Sequence, residues 1–155
     1  MAERGDVAAD LEAIDKKFSG KWKLTKNENL DDYLKLIGLN FIMRKAAGAA
    51  GCTVEISIEG DKVRLITKGP RTSDDSFRLH ETLDDKDPVG NELTATVTFE
   101  DGKLVTKSEP RNNSKAKKTT VTREIIPGAD GKPDELLMTV TAETVVMKRT
   151  FVKQN

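Results

Sequence analysis

Two arginines near the end of the chain interrupt faces that are otherwise apolar. In residues 119–126 the alternating positions Val121 and Ile125 are apolar, and Arg123 lies between them on the same face. In residues 145–152 the alternating set is Val145, Met147 and Phe151, with Arg149 between the last two. Residues 136–141 place Leu136, Met138 and Val140 on one face. If these faces turn inward, two guanidinium groups project into an apolar interior. A guanidinium keeps its charge and is costly to bury alone, so it calls for an anion, and a carboxylate matches its fork. Glu124, Glu135 and Glu143 fall on the opposite face or in turns. The anion would therefore come from a bound molecule, with water in its place when the site is empty. The pattern leaves a reversed orientation open, with Arg123 and Arg149 in solvent and Glu124 and the threonines inside.

Other chemistry is sparse. One cysteine, Cys52, and one histidine, His80, exclude an internal disulfide and a His/Cys metal site. They also speak against Cys/His nucleophilic catalysis, and no paired carboxylates or triad share an inward face. No catalytic residue, metal or cofactor is expected. Lys plus Arg and Asp plus Glu both number 26, so the net charge is zero, which argues against a nucleic-acid binder. With 155 residues the chain is long enough for one domain with a real core. No segment approaches the roughly 20 apolar residues of a membrane span. Residues 1–18 lack a secretory apolar stretch. A cytoplasmic protein is expected, with access to the nucleus open at this size.

These residues must be positioned by a chain that reads mostly as strands. Val7, Leu11, Ile14 and Phe18 form one helical stripe, although a frayed terminal tail fits equally. Trp22 and Leu24 then alternate with polar residues as a half-buried strand. Asn29 reads as the N-cap of a short helix that stops at Gly38, and a second helix runs over about residues 40–50. From Cys52 onward the sequence is a series of short alternating runs with turn signals between them, including Asp101-Gly102. All five prolines fall in these turns. About ten strands joined by short turns imply antiparallel neighbours, and closure removes exposed edges. The fold class is all-β: a ten-stranded antiparallel up-and-down β-barrel, or β-clam, with a helix-turn-helix lid between the first two strands. Residues 1–17 read as an N-terminal extension and 18–155 as the barrel domain.

At this point the chain resembles a known family. Phe18-Ser-Gly-Lys-Trp22-Lys-Leu, Asn29-Leu-Asp-Asp-Tyr33-Leu-Lys35 and Arg44-Lys45 resemble the opening of the intracellular lipid-binding proteins, the fatty-acid-binding and cellular retinoid-binding group. Gly60-Asp61, Asp101-Gly-Lys-Leu-Val105, Thr122-Arg-Glu-Ile125 and Val145-Val-Met-Lys-Arg-Thr-Phe-Val152 continue the likeness in order. The resemblance is greatest to the fatty-acid-binding branch. It implies a non-enzymatic monomeric carrier that holds a long-chain fatty acid or similar hydrophobic acid in an internal cavity. Two arginines and a tyrosine typically bind the carboxylate in this family. Arg123 and Arg149 match the arginines, and Phe151 stands at the tyrosine position without a hydroxyl, so the head group would rest mainly on Arg123.

The cavity wall would be Val54, Ile56, Leu65, Phe77, Leu93, Val97, Val121, Met138, Val140 and Met147, each of which also fits ordinary core. Leu30, Tyr33, Leu34, Phe41 and Ile42 would form the lid and portal. Lys35, Arg44 and Lys45 resemble a basic nuclear-import trio, could equally meet an anionic membrane, and also read as a solvated helix face. Two further readings accompany the fatty-acid carrier. One is a retinoic-acid carrier with nuclear delivery, suggested by residues 136–146. The other is a protein-interaction module on the same barrel.

Overall fold

The computed structural model describes residues 4–155. Helix α1 (Arg4–Phe18) leads into strand β1 (Gly20–Glu28), and helices α2 (Leu30–Leu36) and α3 (Phe41–Ala49) follow. Nine strands come next: β2 (Thr53–Glu59), β3 (Lys62–Lys68), β4 (Ser73–Phe77), β5 (Thr82–Lys86), β6 (Glu92–Glu100), β7 (Lys103–Pro110), β8 (Thr119–Ile126), β9 (Glu135–Ala142) and β10 (Val145–Lys153). All pair antiparallel in the order β4-β3-β2-β1-β10-β9-β8-β7-β6-β5. The expected ten-stranded up-and-down barrel with a helical pair between its first two strands is thus the observed fold. The sheet curls almost shut, with β4 and β5 at its two edges.

Local chemistry accounts for the turns. Asp101 and Gly102 both have positive φ (52° and 77°), the backbone that a tight hairpin of matching twist requires. Helix α2 ends with Gly38 at φ 96°, while Leu39 N–H reaches back to the Leu34 carbonyl at 2.9 Å, the Schellman pattern. At the start of α2 the expectation needs correction. Asn29 is itself left-handed (φ 59°), and its side chain caps nothing; its amide donates instead to the Val146 carbonyl on β10 at 3.0 Å. Asn29 therefore ties the lid to the barrel rather than closing a helix end. Asn40 does cap α3, accepting from Met43 N–H at 2.9 Å.

Strand alternation sets the core. Trp22, Val54, Ile56, Val63, Leu79, Val97, Leu104, Leu136 and Phe151 form its main cluster, joined by Leu11, Ile14 and Phe18 from α1. The helical stripe of α1 is its buried face. Phe18 meets the Phe99 ring edge-on at 6.3 Å, and Trp22 Nε1 donates to the Phe18 carbonyl. A second cluster joins Tyr33, Leu34 and Ile37 of the lid to Val140, Ala142 and Met147. Helix α1 lies by the β6–β7 turn, and the lid lies by the β9–β10 turn, so the two cover opposite ends of the barrel.

Candidate ligand site inside the barrel

Register places the two arginines on one rung. Arg123 is opposite Met138, Met138 is opposite Arg149, and Arg149 is opposite Asn27. Leu104 continues the rung on the far side of Arg123. Directly paired residues share a face, and Leu104 is almost fully buried, so the rung points inward. The next rungs agree, since Phe151, Leu136, Met147 and Val140 are all buried. The reversed orientation is not the one adopted: Lys148 and Val146, on the opposite parity, are exposed.

The two guanidinium groups differ. Arg149 donates from Nε to Asn27 Oδ1 at 2.8 Å, lies 6.0 Å from the Phe151 ring centroid and neighbours the Cys52 thiol. Burial lowers its pKa, and the thiol contact partly opposes that. The same contact restrains Cys52, whose pKa burial raises. Arg123 is enclosed by the barrel, and burial alone pushes its pKa down to about 10. It forms no ion pair and no hydrogen bond with any described residue. Yet no wholly buried side-chain nitrogen or oxygen among the described residues lacks a partner. The Arg123 nitrogens therefore keep accessible surface, and that surface faces the barrel's own interior. At neutral pH the group is still a cation, and no described residue supplies its counter-ion.

The expected wall positions fall on the same interior. Val54, Ile56, Leu93, Val97, Val140 and Met147 are buried. Leu65, Phe77, Val121 and Met138 share the inward parity but are only half-buried, so the interior is not packed solid around them. In the lid, Tyr33 and Leu34 are buried and Leu30 is half-buried, whereas Phe41 and Ile42 point outward at 61% and 78% exposure. Lys35 and Lys45 are exposed; Arg44 is held by Asp31 at 2.9 Å and by the Leu39 carbonyl at 2.8 Å. Two open clefts flank the lid. One of about 420 Å³ lies between α2 and the β9–β10 turn, and one of about 450 Å³ lies under α2 and α3 with Asn27 in its wall. Neither is lined by Arg123, but through Asn27 the second reaches the hydrogen-bond partner of Arg149.

Three residues on the inward register escape strand parity. Asn27 is one: simple alternation from Trp22 and Leu24 would turn Lys26 inward, but a bulge between Leu24 and Lys26 shifts the register and brings Asn27 to Arg149. Asp75 and Asp85 are the others. Asp75 is opposite Leu65 and Asp85 is opposite Leu93, so both share the inward register on strands too polar to show alternation, yet both are exposed on the edge strands. Among the described residues no three His, Cys, Asp or Glu side chains cluster as a metal site would require.

This geometry agrees with the relatives. The model of the lipocalin / cytosolic fatty-acid binding protein family matches residues 19–154. Fatty acid-binding protein homolog 5 of Caenorhabditis elegans is 31% identical over 140 residues, covering 89% of this chain and 97% of its own. Human cellular retinoic acid-binding protein 2 is 33% identical over 140 residues, covering 88% and 98%. The solved apo structure of Caenorhabditis elegans lipid binding protein 8 superposes with a TM-score of 0.78 at 29% identity, over 90% of this chain and 96% of that one. These relatives are named for binding, not catalysis. Sequence, topology and the enclosed cationic rung agree, and the chain belongs to the lipocalin / cytosolic fatty-acid binding protein family.

Proposed function

We propose that this protein is an intracellular, non-enzymatic carrier that takes a long-chain fatty acid into its barrel. Arg123 holds the carboxylate, Arg149 supports it from the same rung, and the apolar wall takes the tail. The observation that carries this reading is the enclosed Arg123 guanidinium with no partner among the described residues. Arg149 is already bonded to Asn27, and Phe151 has no hydroxyl to offer, which leaves Arg123 as the main anchor. An alkyl chain of about 14 methylenes at about 0.8 kcal/mol each gives a gross gain near 11 kcal/mol before ordering costs. The tail thus supplies most of the affinity, and the arginines supply orientation and selectivity for acids. Met138 and Met147, which flank Arg149 on the inner face, adapt to differently shaped tails.

Titration with oleate is the direct test. Arg123→Leu is expected to weaken binding by about 1.5–3 kcal/mol, the range of a charge-assisted hydrogen bond. Unchanged oleate affinity in that variant would remove the assigned role. Likeness to a cellular retinoic acid-binding protein supports a second reading, in which retinoic acid is the preferred acid. A competition titration of retinoic acid against bound oleate separates the two. Failure of both ligands to bind would favour a protein-interaction module instead.

Delivery fits the lid. Phe41, Ile42 and Met43 are exposed on α3, Lys45 lies 5.3 Å from the Phe41 ring centroid, and Lys35 is exposed on α2. Apolar side chains ringed by cations suit brief contact with an anionic membrane. We assign the monomeric barrel, residues 18–155, to ligand binding, and place the protein in the cytoplasm.

A further inference from the structure

The inner wall is not apolar throughout. Between the arginine rung and the lid, three hydroxyl side chains share the inward register of β7 and β8. Thr106 stands between Val97 and Val121, one rung from Arg123. Ser108 stands between Ala95 and Thr119, one rung further on. Ser108 and Thr119 are directly paired, so their side chains are neighbours on one face. Ser108 is only 6% exposed, while Thr106, Thr119 and Val121 are half-buried. The open interior therefore runs along β8 from Arg123 to this patch.

Strand formation does not require hydroxyls here. Valine has the branched shape of threonine and serves a strand equally well, and Val97, Val121 and Val140 share the Thr106 rung. A hydroxyl on an enclosed wall costs free energy unless it finds a partner. Thr119 Oγ1 donates to the Lys117 carbonyl at 2.8 Å, which leaves its lone pairs free to accept. The Ser108 and Thr106 hydroxyls bond to no described residue. No wholly buried side-chain oxygen among the described residues lacks a partner, so the Ser108 oxygen keeps accessible surface on the inner face. The Ser108 rung is built from small side chains, Ala95, Thr119 and Ala142 beside it, and so leaves more width than the valine rung below.

We propose that this patch is a second polar subsite, which takes a hydroxyl carried on the tail of the bound acid, so that the preferred cargo is a fatty acid hydroxylated in mid-chain. This rests on the carrier reading, in which Arg123 holds the carboxylate. Ser108 and Thr119 are two rungs from Arg123, about 13 Å at about 3.3–3.4 Å per residue. Carbon–carbon bonds of about 1.5 Å advance about 1.25 Å each in an extended chain, so the subsite lies on the order of ten carbons from the carboxyl. A 12-hydroxyl meets it with slack for a bend.

The patch selects an uncharged oxygen. Its direct cross-strand neighbours are Val97, Val121 and Ala95, and the lysines that follow in the chain, Lys117 and Lys118, already pair with Glu143 and Glu109. A second carboxylate or a phosphate would lose its hydration there without gaining a counter-ion. A hydroxyl both donates and accepts, as serine and threonine do. Across the barrel, β2 and β3 present Val54, Ile56, Ile58, Val63 and Leu65, so a hydroxyl turned that way finds no partner.

Oleate and 12-hydroxyoleate differ by one oxygen, and calorimetric titration of the full chain with each tests the subsite. Wild type should bind the hydroxy acid about three- to tenfold more tightly than oleate, the gain of one hydrogen bond, although the hydroxyl makes it the more water-soluble of the two. Ser108→Ala should erase that margin without weakening oleate, and Thr106→Val should reduce it less. The 18-hydroxy isomer carries its oxygen past the patch and should show no gain over oleate. A wild type that prefers oleate, or a preference for 12-hydroxyoleate that survives Ser108→Ala combined with Thr119→Val, would overturn the subsite. Arg123→Leu should weaken both acids alike. Loss of the carrier reading is thus seen as failure of both acids to bind, and it removes the subsite as well. Loss of the subsite alone is seen as normal oleate binding with no gain from the hydroxyl.

Discussion

Helix covers both ends of this barrel, but the two coverings use apolar side chains in opposite ways. At one end α1 turns Leu11, Ile14 and Phe18 into the core, with Phe18 and Ile14 fully buried. At the other end α3 buries no residue completely and leaves Phe41, Ile42 and Met43 at 61%, 78% and 53% exposure. Composition does not explain the difference, because both helices carry large apolar residues. Spacing does. The stripe of α1 recurs every three or four residues and so falls on one face. Three consecutive apolar residues in α3 fan out around a helix of about 3.6 residues per turn, and no single surface can cover them all. The α1 end is a seal, and the α3 end is a surface available to something outside.

The comparison can be broken at either end. The largest effect is expected at the seal. Phe18→Ala removes a buried ring from the core and should cost about 3–5 kcal/mol of unfolding free energy, measured by urea titration. A loss below 1 kcal/mol would mean that α1 merely rests on the barrel. Asn40→Ala removes the cap of α3 and should cost about 1 kcal/mol of helix stability, seen as faster amide exchange confined to α3. An equal rise throughout the barrel would show that α3 is integral to the core after all. The smallest stability effect should come from Phe41→Ser combined with Ile42→Ser, within about 0.5 kcal/mol for exposed positions. The same double variant should slow transfer of bound oleate to anionic vesicles and leave oleate affinity unchanged. Normal transfer would detach the exposed patch from delivery.

Much of the barrel is legible residue by residue. Val54, Ile56 and Ile58 alternate so regularly that their strand and its inner face follow from period alone. Arg123 and Arg149 could be placed on an apolar face by the same rule, although period cannot say whether that face looks in or out. The rule fails where the backbone departs from strict alternation. The β1 bulge turns Asn27 inward in place of Lys26, and nothing in Lys-Asn-Glu announces it. It also fails where strands are polar on both faces. Ser-Asp-Asp-Ser in β4 has no hydrophobic parity, so Asp75 shows its inward register only through pairing with Leu65.

By itself, then, the sequence determines the alternating runs outside β4 and β5, the two lid helices and the apolar company of both arginines, because these depend on neighbours two to four residues apart. Only the tertiary structure decides that Arg123, Met138 and Arg149 share one inward rung and that Cys52 lies beside Arg149. It alone also decides that α1 closes one end and that the seam falls between β4 and β5. Those facts depend on which distant strands pair and in what register, and register is set when the whole sheet closes around its core.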